Sequence, residues 1–215
     1  MSSTPESLLS LAPVVPVVVL HDLAHAVPVA RALVEGGVPV IELTLRTPVA
    51  LDAIAAIAAE VPDIVVGAGT IVTPRQVAQA VDAGAEFLVS PGSTPTLLAE
   101  MLASGVPFLP GTATVSEAMA VLEAGLTEMK FFPAEASGGA AYLGSISSPL
   151  PAARFCPTGG ITATSAASYL ALPNVGCVGG SWLTPKDALV EGRWDVVAAL
   201  AGEAAALAPR DLLPA

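Results

Sequence analysis

The sequence predicts an α/β protein with a (β/α)8 TIM barrel fold and a short extra N-terminal segment. Short runs rich in Val, Ile and Phe alternate with alanine- and leucine-rich helical segments along the whole chain. Strands that alternate with helices form parallel sheets, and eight such units favour closure into a barrel. No stretch has the composition of a linker between domains, so we expect a single (β/α)8 barrel domain over residues 1–215.

The predicted strands and helices carry local signals at their ends. The eight strand-like runs are residues 14–20, 38–46, 64–70, 86–92, 107–113, 128–134, 154–160 and 175–181. One helical segment opens with Thr114 and Glu117, the spacing of a capping box. Glycines close helical segments just before the next strand at Gly36–Gly37, Gly84, Gly105 and Gly125. An open doubly wound sheet is the alternative, but the turn after the first run, HDLAH, has no glycine for a phosphate-binding turn.

Composition limits the classes of partner. Hydrophobic residues make up 53% of the chain and charged residues 13%, which is ample for a large core. The net charge of −11 argues against a nucleic-acid surface and against an anionic membrane as partner. The longest uncharged run, 155–185, is interrupted by prolines and glycines, and residues 1–13 contain no basic residue, so neither a spanning helix nor a secretory signal is predicted. We therefore expect a cytoplasmic protein.

The cysteines and histidines do not form a predicted metal site. Cys156 and Cys177 each lie in an apolar run and are expected to be buried, reduced thiols. His21 and His25 are four residues apart, a spacing that could hold a metal, but no acidic or cysteine residue completes a ligand set nearby. A structural role for both histidines is the preferred interpretation.

Polar side chains on the second predicted strand point towards the barrel mouth. In a TIM barrel the chemistry lies at the C-terminal ends of the strands, on side chains that point inward. Because strand side chains alternate, Glu42, Thr44 and Arg46 share one face, opposite the apolar face that meets the helices. A carboxylate and a guanidinium on the inward face indicate a functional site. A buried ion pair that only satisfies itself is an equally weighted alternative for these residues alone.

Lys130 is the candidate nucleophile. The chain has two lysines, and Lys186 lies in the polar turn TPKD, whereas Lys130 lies in the apolar run MKFF. Alternation places Lys130 and Phe132 inward, in the same cavity as Glu42 and Arg46. Apolar walls and a nearby cation would lower the pKa of the amine and make it nucleophilic. In the alternative, Lys130 simply pairs with Glu42.

Glycines and hydroxyls occupy the ends of other strands. The third run ends in GAGT, with Thr70 at its top, the seventh in Thr158-Gly159-Gly160, and the eighth in Gly179-Gly180-Ser181. Successive glycines allow backbone amides to approach an oxyanion, and the ends of strands 7 and 8 form the usual phosphate site of these barrels. Ser181 would add a hydroxyl donor. The alternative is that the glycines only form turns.

Together these motifs resemble the 2-keto-3-deoxy-6-phosphogluconate (KDPG) and 4-hydroxy-2-oxoglutarate (KHG) aldolase family of the Entner–Doudoroff pathway. The resemblance extends over nearly the whole chain, through VVPVVVL, IELTLRT, VGAGT, SPG, TVSE, KFFPAE, RFCPTGGI and GGSWL. It implies a (β/α)8 barrel that forms a homotrimer, needs no metal or other cofactor and acts on a phosphorylated 2-keto acid through a lysine Schiff base. By the same resemblance Lys130 forms the Schiff base and Glu42 is the general acid/base. The implied substrate-binding residues are Arg46 and Thr70 at the carboxylate, Pro91, Phe132 and Thr158 along the substrate, and Gly159, Gly160, Gly180 and Ser181 at the phosphate.

The chemistry of aldol cleavage agrees with this assignment. Cleavage of a C3–C4 bond next to a ketone leaves a carbanion, and an iminium on Lys130 would accept its electrons. Two rival functions remain: a phosphosugar isomerase or epimerase on the same fold, and a phosphate-binding barrel without activity. Neither explains an inward lysine beside Glu42 and Arg46. The related phosphogalactonate aldolases lack the RFCPTGG form of the seventh run and are a weaker match.

Overall fold

The computed structural model describes residues 7–207, in which strands and helices alternate as predicted. The strands are β1 (Val14–Val18), β2 (Val40–Thr44), β3 (Val65–Gly69), β4 (Phe87–Val89), β5 (Phe108–Leu109), β6 (Gly111–Thr112), β7 (Glu128–Phe131), β8 (Arg154–Pro157) and β9 (Val178–Gly180). The helices are α1 (Ala26–Glu35), α2 (Ala50–Glu60), α3 (Pro74–Asp82), α4 (Pro95–Ala103), α5 (Val115–Glu123), α6 (Gly139–Ile146), α7 (Ala166–Leu170), α8 (Lys186–Glu191) and α9 (Trp194–Ala205). Every predicted run contains a strand. The fifth contains two, β5 and β6, which are separated by Pro110.

All strand pairs are parallel, and their order follows the chain. One sheet has the order β5-β4-β3-β2-β1-β9 and the other the order β6-β7-β8. The neighbours that are not consecutive are β1 and β9, the first and last strands. An isolated bridge between Thr158 and Gly179 joins the end of β8 to β9. The α/β class with parallel strands is therefore confirmed, and the strand order differs from that of a doubly wound sheet, which reverses at a switch point.

Capping residues and glycines mark the starts and ends of the helices where the sequence predicts them. Thr114 accepts a hydrogen bond from the Glu117 amide while Glu117 accepts one from the Thr114 amide, so the predicted capping box of α5 is confirmed. A second capping box, Thr73 with Gln76, opens α3. The helix-closing glycines adopt left-handed φ values of +82°, +89°, +70° and +84° at Gly37, Gly84, Gly105 and Gly125. A side chain at these positions would be strained, which explains the glycines.

The N-terminal segment packs at the end of the strands opposite the predicted site. Leu8 and Leu9 lie in a short 3-10 helix, Leu8–Ser10, and both are buried. The Leu8 amide donates to Glu128 Oε2 at 3.2 Å, at the start of β7. The predicted extra segment is therefore present over residues 7–12, while residues 1–6 lie outside the described part of the chain, as do residues 208–215.

The cysteines are buried and the histidines lie near the surface. Burial of Cys156 and Cys177 is confirmed, and a hydrogen bond with the Cys156 thiol, together with burial, raises the pKa of Cys177 well above its usual value. His21 is exposed, and the ring of His25 packs edge-on against Trp194 with 5.5 Å between centroids. Residues 7–207 contain no group of three or more His, Cys, Asp or Glu side chains that could hold a metal ion. Within the same range no helix has the length and apolarity needed to cross a bilayer.

Candidate active site

Strand register brings Glu42 and Lys130 together. They are 88 residues apart in sequence, on β2 and β7, yet Lys130 Nζ lies 3.1 Å from Glu42 Oε1. The side chain of Lys130 is only 5% exposed and that of Glu42 only 3%, so the pair is almost completely withdrawn from water. The inward orientation predicted for both residues is therefore consistent with a direct contact inside the fold.

The position of Glu42 depends on a glycine of the neighbouring strand. In the β2–β3 register Thr44 faces Gly69, and the carboxyl group of Glu42 lies over the Gly69 backbone. A Cβ atom at position 69 would lie 2.1 Å from Glu42 Oε1 and 2.6 Å from its Cδ. Real Cβ atoms do not approach so closely. Gly69 therefore provides the space for the carboxylate, a role that its place in the GAGT motif did not indicate.

Backbone and ring contacts hold Lys130. Its amide donates to Pro110 O at 3.0 Å, between β5 and β6, and its carbonyl accepts from Thr112 Oγ1 at 3.1 Å. The ammonium lies 5.6 Å from the centroid of the Phe132 ring, which forms one wall of the site. The lysine is therefore fixed at both ends, by strand hydrogen bonds at its backbone and by Glu42 and Phe132 at its tip.

The charged contact of Lys130 is the one given by the alternative interpretation of the sequence. Glu42 and Arg46 are both expected in the same cavity as the amine, and in the structure Lys130 pairs with the anion Glu42. Arg46 is exposed, and its Nε donates to Thr70 Oγ1 at 3.0 Å. The alternation rule gave the correct face for these side chains, but it could not give which neighbour each would reach.

Thr70 has a strained backbone at the end of β3. Its φ is +60°, the one positive value at a non-glycine residue among residues 7–207. A β-branched residue in this region is an outlier that ordinarily costs about 1–3 kcal/mol. The conformation directs the Thr70 hydroxyl to Arg46. Strain of this kind is concentrated at functional sites, which supports the predicted role of both residues.

Two further predicted residues, Pro91 and Thr158, lie at strand ends against glycines of other strands. Pro91 follows β4, and its carbonyl group lies against the α-carbon of Gly111, where a Cβ atom would come within 2.4 Å of Pro91 O. Thr158 is buried at the end of β8, with Oγ1 only 2.2 Å from a hypothetical Cβ at Gly179. Both contacts are possible only because glycine occupies the adjoining strand.

The glycines at the ends of β8 and β9 do not serve one purpose. Gly159 and Gly160 form a turn with φ of +104° and +80°, and the Gly160 amide donates to no protein acceptor within residues 7–207. Gly180 is different, because the ring of Trp182 lies over it and would be 2.0 Å from a Cβ atom. Packing therefore explains Gly180, whereas the Gly159–Gly160 turn presents backbone to the outside.

A cavity of about 550 Å³ adjoins this part of the molecule. Val17, the register partner of Glu42, contributes to its wall, as does the exposed Ser181. His21, Asp22 and Lys186 lie on the same cavity, so its wall includes side chains of both charges. Ser181 lies on the edge of this cavity. Neither Glu42 nor Lys130 lines it, so the cavity adjoins the buried pair without containing it.

The geometry provides a nucleophile with an internal base. A buried ion pair is costly to desolvate, and it is retained where it has good geometry or a chemical use. Transfer of one proton from Lys130 Nζ to Glu42 Oε1, across 3.1 Å, would give a neutral amine and a neutral carboxylic acid. The amine can then add to a carbonyl group, and the acid can protonate the oxygen that leaves.

Comparison with known proteins identifies relatives that match over most of the chain. The family model for KDPG and KHG aldolases matches residues 6–200. The KHG/KDPG aldolase of Escherichia coli K12 is 54% identical over 199 residues, which cover 93% of each chain.

Two solved structures are similar in both fold and sequence. A KDPG aldolase from Legionella pneumophila, with pyruvate captured at low pH as a covalent carbinolamine intermediate, is 45% identical with a TM-score of 0.90, and the match covers 92% of this chain and 96% of that one. A KDPG aldolase from Zymomonas mobilis with 3-phosphoglycerate is 48% identical with a TM-score of 0.87, covering 93% of this chain and 94% of the other. The chain belongs to the KDPG and KHG aldolase family.

Proposed function

We propose that this protein is a metal-independent Schiff-base aldolase, a carbon–carbon lyase. Its substrate is 2-dehydro-3-deoxy-6-phospho-D-gluconate, which it cleaves to pyruvate and D-glyceraldehyde 3-phosphate, with 4-hydroxy-2-oxoglutarate, cleaved to pyruvate and glyoxylate, as a second substrate. The observation that carries the proposal is the buried contact between Lys130 Nζ and Glu42 Oε1. Pyruvate held as a carbinolamine in the Legionella pneumophila relative supports it, because a carbinolamine forms when an amine adds to a ketone.

Lys130 and Glu42 account for each proton and electron pair in the reaction. The neutral Lys130 amine adds to the C2 ketone. Glu42 passes its own proton, and then one of the two amine protons, to the oxygen, which leaves as water to give a protonated imine (iminium) and the Glu42 carboxylate. The Glu42 carboxylate then removes the proton of the C4 hydroxyl. The C3–C4 electron pair moves into the iminium, which releases the aldehyde and leaves an enamine. Glu42 returns the proton to C3, and hydrolysis of the iminium releases pyruvate and restores Lys130.

Other side chains would orient the substrate. Arg46, held by Thr70, would bind the carboxylate through its guanidinium and so fix the ketone against the amine. Pro91, Phe132 and Thr158 would line the substrate between the two ends.

The phosphate end of the substrate lies further from Lys130. We assign the phosphate to the Gly159–Gly160 turn and Ser181, with the backbone of Gly180 beside them. A relative solved with 3-phosphoglycerate makes a phosphorylated ligand chemically consistent with this family. Remote contacts of this kind raise kcat/KM for the substrate that has the phosphate. Ser181→Ala should therefore reduce the preference for the phosphorylated substrate, and an unchanged preference would contradict the assignment.

The proposal also includes a closed barrel, an oligomeric state, a cellular location and a pathway. The single domain over residues 1–215 would be a closed (β/α)8 barrel, with β5 and β6 together forming the fifth strand. The Thr158–Gly179 bridge and the pairing of β1 with β9 support closure. A homotrimer and a place in the Entner–Doudoroff pathway follow from the family resemblance alone, whereas a cytoplasmic location follows from the sequence composition.

Trapping of the imine tests the reaction class. Borohydride reduces an imine to a stable secondary amine and leaves free lysine unchanged, so incubation with pyruvate and borohydride should add one pyruvate-derived group and abolish activity. Peptide mapping should place the group on Lys130, and Lys186, the other lysine of the chain, is the internal control. Chelators should not change the rate. An isomerase, an epimerase or a passive barrel would give no adduct, and a label on Lys186 alone would overturn the assignment of Lys130.

A further inference from the structure

The segment that follows the lysine strand is hydrogen-bonded to the Gly159–Gly160 turn. The Ala134 amide donates to Thr158 O at 2.8 Å, and the Glu135 amide donates to Gly159 O at 3.1 Å. These two bonds continue the β7–β8 pairing beyond the ends of both strands. The position of the turn is therefore coupled to residues 134–135, which follow Lys130 closely in the chain.

The side chain of Glu135 lies directly on the turn. A Cβ atom at Gly160 would be 2.7 Å from Glu135 Cγ and 2.8 Å from its Cβ. Gly160 also has a left-handed φ of +80°, so a side chain there would both clash with Glu135 and strain the backbone. On the other residue of the turn, a Cβ at Gly159 would be 3.2 Å from the Phe132 ring. The turn is thus packed between Phe132 and Glu135.

A buried phenol fixes the carboxylate of Glu135. Tyr169 Oη donates to Glu135 Oε1 at 2.8 Å from α7, where Tyr169 is only 1% exposed. Burial, and then the Glu135 carboxylate, raises the pKa of Tyr169, so the phenol remains a donor at neutral pH. Glu135 itself is exposed, and an unrestrained carboxylate in such a position would sample several rotamers. The hydrogen bond to Tyr169 selects one of them.

We propose that the Tyr169–Glu135 hydrogen bond is a positioning device that holds the Gly159–Gly160 turn in the conformation that binds the phosphate of the substrate. The inference rests on the proposed function, since it assumes that the turn is the phosphate site. Neither residue touches the reacting atoms. Loss of the bond should therefore weaken binding of the phosphorylated substrate and leave the chemistry at Lys130 unchanged.

The test compares Tyr169→Phe with a matched control, Tyr142→Phe. The ring of Tyr142 stacks on that of Phe131 at 5.5 Å between centroids, and the ring of Tyr169 is buried, so each variant loses one hydroxyl from a packed ring. For Tyr169→Phe, KM for the phosphorylated substrate should rise roughly tenfold, the worth of a hydrogen bond to a charged group, with kcat nearly unchanged. Kinetics on 4-hydroxy-2-oxoglutarate, which has no phosphate, and imine trapping with pyruvate should match the wild type.

Conservative and disruptive changes at Glu135 complete the test. Glu135→Gln retains an oxygen acceptor for Tyr169 and should behave much like the wild type, whereas Glu135→Ala should reproduce Tyr169→Phe. Melting temperatures of all variants, measured first, set an assay temperature at which each is folded.

The outcomes separate this inference from the proposed function. Absence of an imine in the wild type would overturn the proposed function itself. An imine and a phosphate preference in the wild type, with Tyr169→Phe indistinguishable from Tyr142→Phe, would overturn the positioning role alone. An equal loss on both substrates and in imine trapping would mean that Tyr169 only supports the fold, and would also overturn it.

Discussion

Gly69→Ala tests whether the proposed catalytic pair, Lys130 and Glu42, depends on the space beside β3. The new Cβ would lie 2.1 Å from Glu42 Oε1 and 2.6 Å from both Cδ and Cγ. Ordinary carbon contacts are about 3.5–4.0 Å, so the carboxyl group must move by roughly 1 Å or more. Glu42 is buried, and the movement changes its 3.1 Å contact with Lys130 Nζ. A displacement of about 1 Å at a reacting group lowers rates by roughly 10²-fold.

The expected loss of stability is smaller than the expected loss of activity. Overpacking in a core costs about 1–3 kcal/mol, and a domain with about 5–15 kcal/mol of stability remains folded at that cost. We therefore expect Gly69→Ala to be folded at 25 °C, with kcat for pyruvate release reduced about 100-fold. Gly144→Ala is the control, because its Cβ on α6 would make an ordinary 3.5 Å contact with Leu172. It should be fully active and slightly more stable.

A double mutant identifies the side chain through which Gly69 acts. If the alanine acts by displacing Glu42, adding Gly69→Ala to Glu42→Gln should cause little further loss of activity, because both changes affect one group. Additive losses would show that Gly69→Ala acts elsewhere. Normal turnover in Gly69→Ala alone would refute the argument that the carboxylate must occupy this space.

Three further predictions concern single side chains. Glu42→Gln keeps the shape of the site but removes the acid/base, so kcat should fall roughly 10²–10⁴-fold while substrate still binds, and near-normal turnover would remove Glu42 from the mechanism. Thr70→Gly relieves the φ of +60° and should raise the melting temperature, yet kcat/KM should fall because Arg46 loses its hydrogen-bond acceptor; a variant with both values unchanged would contradict the strain argument. The Ala113 amide is the main group that lowers the pKa of Glu117, below an ordinary value of 4.5, so its capping contribution is present above that pH and lost as pH falls. The stability gap between wild type and Glu117→Ala in denaturant should therefore shrink from pH 6 towards pH 3, and a constant gap would exclude the charge as its source.

The parts of the site that depend on local periodicity could be predicted from the sequence. Strand side chains alternate with a period of two, so the pattern VIELTLR predicts that Ile41 and Leu43 face the helices and that Glu42 faces the interior. The same rule orients Lys130, and glycine with capping-box spacing marks the helix ends. Each of these inferences uses residues within one element, where the backbone geometry is nearly fixed.

Contacts between elements could not be predicted in this way. The partner of Lys130 is 88 residues away, and choosing Glu42 over Arg46 requires the β2–β3–β7 geometry. The need for glycine at position 69 depends on where a neighbouring side chain turns, and so does the cover of Trp182 over Gly180. Glu135 was visible within the KFFPAE motif, but its partner Tyr169 comes from α7 and only packing brings the two together.

The energetics of the Lys130–Glu42 contact bear on whether it is only structural. A buried ion pair can often be replaced by apolar residues of similar volume without loss of stability, so a pair that served the fold alone would be an inefficient solution. Here the pair is accompanied by two further unfavourable features at the end of β3, the next strand to Glu42. Gly69 weakens the strand, and Thr70 holds a left-handed conformation. A fold selected for stability alone would have none of the three, whereas the proposed proton transfer from Lys130 to a fixed Glu42, with Arg46 held by Thr70 to bind the substrate, would use all of them. The combination therefore argues for chemistry at Lys130 more strongly than the ion pair does alone.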